Sequence, residues 1–280
     1  MSKLADLQSR MRALRDIEGI LNAMKNLSLV EMTKVSRFCI TQQELLLSVK
    51  EALADFQQFH GSPAEIRGTD SASLYVLIGS ERGFCGGFNE TIQKTLESHA
   101  IARTNPKLIL VGRKLALKFL QDKRVVASLD GPSAAEEIPS VISQLAKTLT
   151  RFSSSDWKII HNGYTGAGTS VEVTSPFDLP RIEPAKKLQF PPLLNLASSD
   201  LRPQLFEQYL FALFYGIFYQ SFMTENHERL RHMDGALNKL REDEEGLRRL
   251  SNALRQESIT EELEVIMLSV DDSTSGSLQK

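Results

Sequence analysis

Long proline-free segments occupy both ends of this chain. From Lys3 to about Phe59 there is no proline and one glycine, Gly19. Apolar residues recur there at Leu4, Leu7, Met11, Leu14, Ile17, Leu21, Met24 and Leu27, in steps of three and four. Such spacing draws one stripe along a long helix. After Pro203 the chain is again proline-free, and Leu230, Met233, Leu237, Leu240, Leu247 and Leu254 keep a heptad rhythm interrupted by Glu244. Glu, Arg and Lys fill the intervening faces, the pattern of a coiled-coil helix. A helix of roughly 60 residues reaches about 90 Å at about 1.5 Å per residue. A domain of ordinary size cannot cover a stripe of that length. The economical arrangement packs the two stripes on each other, antiparallel, as a protruding coiled coil.

The middle of the chain changes period. Leu74–Ile78, Leu108–Val111, Val125–Leu129, Trp157–His161 and Ser170–Thr174 read as strands, and the segments near 89–102, 113–121 and 133–152 have helical composition. Strands alternating with helices imply an α/β, Rossmann-like domain with a mostly parallel sheet. Gly61-Ser-Pro63 stops the first helix, Arg67-Gly-Thr-Asp-Ser71 reads as a linker, and Pro176 to Pro192 is proline-rich. The boundaries are then 1–60 for the first helix, 72–192 for the α/β domain and 203–270 for the last helix. The small polar residues of 271–280 predict a disordered tail.

Bulk properties exclude several functional classes. A formal net charge of −2 gives no reason to expect nucleic acid as a partner. Two cysteines, Cys39 and Cys85, do not make a disulfide scaffold and suit a reducing compartment. The N-terminus carries charges throughout and no apolar block, so no signal peptide is expected. Gln208–Thr224 is uncharged, but Gln208, Gln220, Ser221 and Thr224 leave an apolar part of only about 12 residues, short of the roughly 17–25 that a span needs. A helix buried on several sides explains it better: Tyr209–Phe222 is expected at the base of the coiled coil, under the first helix and the α/β domain.

Directly after Leu74–Ile78 comes Gly79-Ser-Glu-Arg-Gly-Phe-Cys-Gly-Gly-Phe-Asn-Glu90. A glycine-rich turn between strand and helix is a common phosphate cradle. Here, however, no Lys-Ser/Thr follows the glycines and their spacing is not Gly-x-Gly-x-x-Gly. No acidic residue is placed convincingly about twenty positions on to hold a ribose. The competing explanation is that Gly83, Gly86 and Gly87 permit tight turns or close packing.

Other chemistry is thin. Of the five histidines only His227 and His232 are close in sequence, and a separation of five misses the i, i+4 register, so both read as solvated helix residues. Cys85 has no second local thiol or obvious base and reads as a small packing residue. Glu242-Asp-Glu-Glu245 reads as a solvated face. No residues form a catalytic, cofactor or metal constellation.

Three stretches carry a family resemblance. Leu7–Lys25, closing in Ile20-Leu-Asn-Ala-Met-Lys25, is similar to the opening helix of the gamma subunit of rotary, F-type ATP synthases. Ser80-Glu-Arg-Gly-Phe-Cys-Gly-Gly-Phe-Asn89 resembles that family's S-D-R-G-L-C-G-G-F-N, and Asn252–Leu263 resembles its N-K-A-R-Q-A-x-I-T-x-E-L. Their order and separation agree across nearly the whole chain. The resemblance implies a non-catalytic central-stalk rotor that couples ion flow to ATP synthesis or hydrolysis and needs no cofactor. It implies alpha and beta catalytic subunits, an epsilon subunit and a membrane c-ring as partners, with no nucleic acid and no membrane span. The implied location is peripheral, on the cytoplasmic face of a bacterial inner membrane. Matched by position, Met24, Lys25, Arg255, Gln256 and Thr260 fall where the family contacts the beta subunit. Gly83, Gly86 and Gly87 fall in a loop with no known nucleotide site, which favours the turn reading.

The chain also departs from the family. Val265-Ile-Met-Leu-Ser-Val-Asp-Asp272 replaces a small-residue ending, and Asn26-Leu-Ser-Leu-Val-Glu31 replaces M-V-A-A-S-K, as expected of a diverged branch. Two other classes compete with the rotor: an α/β nucleotide-binding enzyme using the glycine loop, and a coiled-coil scaffold.

Overall fold

The computed structural model describes residues 2–60, 73–100, 106–152, 156–165, 168–177 and 190–275. The expected linker at 67–71, most of the proline-rich passage and the last five residues lie outside them. Five strands form one sheet in the order β3-β2-β1-β4-β5: β1 (Ser73–Ile78), β2 (Lys107–Val111), β3 (Val125–Leu129), β4 (Asp156–Thr165) and β5 (Gly168–Thr174). The β1–β2, β1–β4 and β2–β3 pairs are parallel, and β4–β5 is an antiparallel hairpin. The expected mostly parallel sheet is present, with one antiparallel edge.

Strand β1 reads as a continuous apolar run because both its faces are covered. Leu74, Val76 and Ile78 enter one core with Ile109, Val111, Trp157 and Ile159. Tyr75 and Leu77 enter the other with Leu108, Leu110 and Ile160. The first face carries α4 (Ile138–Leu149), whose Ile138, Val141, Ile142, Leu145 and Leu149 are buried at helical spacing. The second carries α2 (Phe88–Ala100) through Ile92 and Leu96, and the short α3 (Arg113–Ala116) through Leu115.

The terminal helices are α1 (Ser2–His60) and α5 (Ser198–Ser275). Helix α5 begins five residues before Pro203. Its first turn closes on the Ala197 carbonyl, which accepts from Asp200 and Leu201 at 3.0 Å, and proline near a helix start costs little. It also passes the expected end at Val270: no glycine or proline intervenes after Gly246 until Gly276, so 271–275 are helical.

Two compact units emerge, residues 27–232 and residues 1–26 with 233–280. In the larger unit, Tyr209, Leu213, Phe214, Ile217, Phe218, Tyr219 and Phe222 of α5 share the first core with Val35 and Leu53 of α1 and with the sheet. That is the expected covering of the aromatic segment. No described helix is long and apolar enough to cross a membrane.

In the smaller unit, buried Leu21 of α1 clusters with Met233, Leu237 and Leu240 of α5, flanked by Leu14, Met24 and Ala236. Arg15 Nε lies 2.8 Å from Glu244, Arg241 Nε 3.3 Å from Glu18, and Lys25 Nζ 2.5 Å from Asp234. Positions rise on α1 as they fall on α5, so these segments run antiparallel. Ile17 corrects the expected stripe, because it is 46% exposed. Ile17 and Glu18 flank the arc joining Leu14 to Leu21 on opposite sides, and Glu18 is the one that meets Arg241. In the larger unit Leu27 is likewise exposed, and Ser28 and Glu31 are buried instead.

Candidate functional site

The end of β1 dictates the geometry of the glycine loop. The Gly79 amide donates to Val111 O at 2.9 Å, and the Lys114 amide donates to Ser80 O at 3.1 Å. A Cβ at Gly79 would stand 2.4 Å from Leu115 Cβ, and one at Gly112 (φ +107°) 2.7 Å from the Gly79 carbonyl oxygen. These two glycines allow the β1 and β2 ends to approach. Asn89 then staples the loop: it accepts from the Ser80 amide at 3.0 Å and donates to Ser80 Oγ at 2.8 Å.

Among the three glycines expected to shape the loop, Gly86 adopts a left-handed conformation (φ +56°). Phe84 does so as well, at φ 63°. Gly83 and Gly87 do not. A Cβ at Gly83 would make ordinary contact, 3.7 Å from Lys114 Cε, and one at Gly87 would meet nothing within 4 Å. The close packing expected of Gly83 and Gly87 is therefore absent; Gly79 and Gly112 supply it.

Glu81 reaches from the loop to backbone amides beyond the ends of β2 and β3. Its Oε2 accepts from the Arg113 amide at 2.9 Å and the Gly131 amide at 2.8 Å, and Arg113 Nε lies 3.2 Å from Oε1. A carboxylate on converging backbone N–H groups satisfies the same donors that an anionic ligand needs. Cys85 is buried against Ser80 Oγ at 3.3 Å, and burial pushes its thiol up, away from the reactive thiolate.

The rest of the loop seats α5. Arg229 Nε donates to Gly83 O at 3.1 Å, its Nη1 donates to Asn226 Oδ1 at 2.9 Å, and its Nη2 pairs with Glu225. Burial pushes the Glu225 carboxyl up, while the Arg229 guanidinium opposes that. On the β4–β5 hairpin, Thr169 Oγ1 donates to Glu228 at 2.6 Å, and His227 lies over Tyr164 with ring centroids 4.6 Å apart. His227 is thus a half-buried packing residue rather than a solvated one; its neighbour in sequence His232 is exposed. The signal for this seat was present in the sequence: Glu225 and Arg229 stand four apart at the end of an uncharged helix segment, the i, i+4 spacing of an ion pair.

The residues matched to beta-subunit contacts fall in the smaller unit. Met24 packs beside Leu21 and Met233, and Lys25 pairs with Asp234. Arg255, Gln256 and Thr260 are exposed on α5, and Thr260 Oγ1 donates to the Gln256 carbonyl at 3.0 Å. Beyond them Ile259, Leu263, Val265, Ile266 and Met267 are at least half exposed. Glu242, Asp243 and Glu245 are exposed as expected, whereas Glu244 is half-buried against Arg15.

Residues 3–271 match the family model described as ATP synthase. The chain belongs to the ATP synthase gamma family. Gamma chains are the central-stalk rotor subunit of the F-type enzyme. The gamma chain of Bdellovibrio bacteriovorus is 24% identical over 94% of this chain and 96% of its own length. That of Ruminococcus albus is 24% identical over 98% and 100%. The fold is shared with a chain of the Euglena gracilis mitochondrial ATP synthase, in a structure described as OSCP/F1/c-ring in rotational state 3. The TM-score is 0.67 and identity 15%, covering 99% of this chain and 96% of that one. This gamma chain therefore combines the family's α/β domain with two long terminal helices despite low sequence identity.

Proposed function

We propose that the chain turns as the shaft of an F-type ATP synthase on the cytoplasmic face of a bacterial inner membrane. On this reading α1 and α5 form an antiparallel two-helix coiled coil within a ring of alternating alpha and beta subunits. The α/β domain binds epsilon and the membrane c-ring, and rotation couples ion flow to ATP synthesis or hydrolysis. The observation that carries the reading is the antiparallel contact between the terminal helices, with Leu21 against Met233, Leu237 and Leu240 and three ion pairs beside it. Two packed helices resist bending and twisting better than one.

An asymmetric shaft presents a different surface to each catalytic subunit, so each rotor angle favours one site state over the others. That differential interaction is what coupling between sites requires. The chain contributes no catalytic group; it selects among states of groups held by beta. Met24, Lys25, Arg255, Gln256 and Thr260 are the proposed beta contacts, with the Arg255 guanidinium suited to carboxylates through its planar fork. The competing nucleotide-site reading has only the glycines to recommend it, since neither Lys-Ser/Thr nor the Gly-x-Gly-x-x-Gly spacing accompanies them.

A Gln256→Cys variant, crosslinked to a cysteine placed in beta, tests the assignment. The expected result is that ATP hydrolysis by the assembled complex stops on crosslinking and returns on reduction. Undiminished hydrolysis after verified crosslinking contradicts a moving contact at Gln256.

A further inference from the structure

The glycine loop and the β4–β5 hairpin grip a single stretch of α5, residues 225–229, from two directions. Arg229, itself paired with Glu225, ties it to Gly83 O at 3.1 Å. Glu228 ties it to Thr169 on β5, and His227 lies over Tyr164 on β4. Glu225, Asn226, Glu228 and Arg229 are all buried. The turns of α5 before this stretch, from Phe206 to Phe222, are held mainly by aromatic and aliphatic packing, with one partly buried polar tie from Gln220 Nε2 to Glu172 Oε1 on β5 at 3.2 Å.

The difference in chemistry matters. Apolar packing is non-directional, and a core of about the right size tolerates small rotations of a helix. Hydrogen bonds to fixed backbone groups weaken steeply with misalignment. A buried charge pair adds little net stability, because desolvation offsets its attraction, while removing one partner leaves an uncompensated charge. A helix carrying such a collar has one rotational setting on its domain.

We propose that Glu225, Glu228 and Arg229, with the glycine loop and Thr169, form an angular lock that fixes the setting of α5 on the α/β domain. This rests on the rotor reading: torque entering through the α/β domain then reaches α5 at a defined angle, and the lock keeps ion steps and catalytic steps in phase. These are positioning residues, and they touch no reacting atom. The lock also accounts for the loop itself. A left-handed Phe84 and Gly86 turn the chain directly after the Gly83 carbonyl that is offered to α5.

The test uses the whole complex reconstituted in vesicles, with ion uptake read by a pH-sensitive dye and by radiolabelled sodium alongside ATP hydrolysis. Arg229→Met removes both charge and forked donor at similar length. The expected result is assembly with hydrolysis within about twofold of wild type and ion uptake per ATP down about fivefold, with Arg229→Lys restoring part of it. Equal uptake per ATP in wild type and Arg229→Met overturns the lock. Should Arg229→Met fail to assemble, Thr169→Val, which severs only the Glu228 tie, decides the matter: reduced uptake per ATP supports the lock and unchanged uptake overturns it. A retained block of hydrolysis on Gln256→Cys crosslinking keeps the rotor reading standing whichever way the lock falls.

Discussion

The Glu81 carboxylate accepts the amide of Gly131, fifty positions along the chain, at 2.8 Å, and the amide of Arg113 at 2.9 Å with the same oxygen. A side chain of the loop thus ties together the backbone beyond the ends of β2 and β3. Glu81→Ala leaves two backbone donors without an acceptor, a loss of about 2–4 kcal/mol. Denaturant unfolding of the full chain checks it; a midpoint within error of wild type contradicts the tie.

Glycines at the sheet end differ sharply in what they tolerate. Gly79→Ala forces its Cβ to within 2.4 Å of Leu115 Cβ and is expected to lower stability by about 3 kcal/mol or more. Gly87→Ala meets open space and is expected to change it by less than about 1 kcal/mol. Paired thermal melts separate them, and equal effects refute the assigned roles.

Between the terminal helices, apolar contact outweighs charge. Leu237 is 2% exposed, and Leu237→Ala is expected to cost about 2–4 kcal/mol. Lys25 and Asp234 are a third to a half exposed, and Asp234→Ala is expected to cost under about 1 kcal/mol because solvent and salt screen the pair. Chemical denaturation at low and high salt checks both. A larger loss from Asp234→Ala contradicts that ranking.

His161 supplies a pH dependence. It is 1% exposed, with Glu172 at 3.9 Å and Thr174 Oγ1 at 3.4 Å from its Nε2, and burial holds its pKa below the ordinary 6.5. The unfolded chain therefore takes up a proton near pH 6.5 that the folded chain refuses. Stability is full above that value and falls as pH drops below it. His161→Gln is expected to flatten the slope of unfolding free energy between pH 6.5 and the lower pKa; an unchanged slope contradicts this origin.

How much of this was legible beforehand depends on whether periodicity or partner choice decided it. All five strands and both terminal helices followed from composition and spacing, because Leu74–Ile78 and the Leu7–Leu14–Leu21 series each have one packing solution. Ile17 was misplaced because adjacent helix positions flank a seam symmetrically, and only the partner helix settles which one it covers. Glu18 won through Arg241, which is 223 positions away. The loop reads correctly as a turn, and Gly86 supplies its left-handed step, but the close packing falls on glycines outside the expected three. The need for Gly79 and Gly112 comes from Leu115 and from each other across two strands, and no local pattern carries that. The Glu225–Arg229 collar is visible as a spacing, yet its backbone partner Gly83 becomes a neighbour only on folding.

The central claim is that this chain rotates against a catalytic head. Leu120 is 77% exposed in the α/β domain and offers a handle. With Leu120→Cys carrying a bead and the alpha and beta subunits fixed to a surface, added ATP should drive sustained rotation of the bead in one direction. A bead that only fluctuates about a fixed angle while the same complexes hydrolyse ATP would contradict the account.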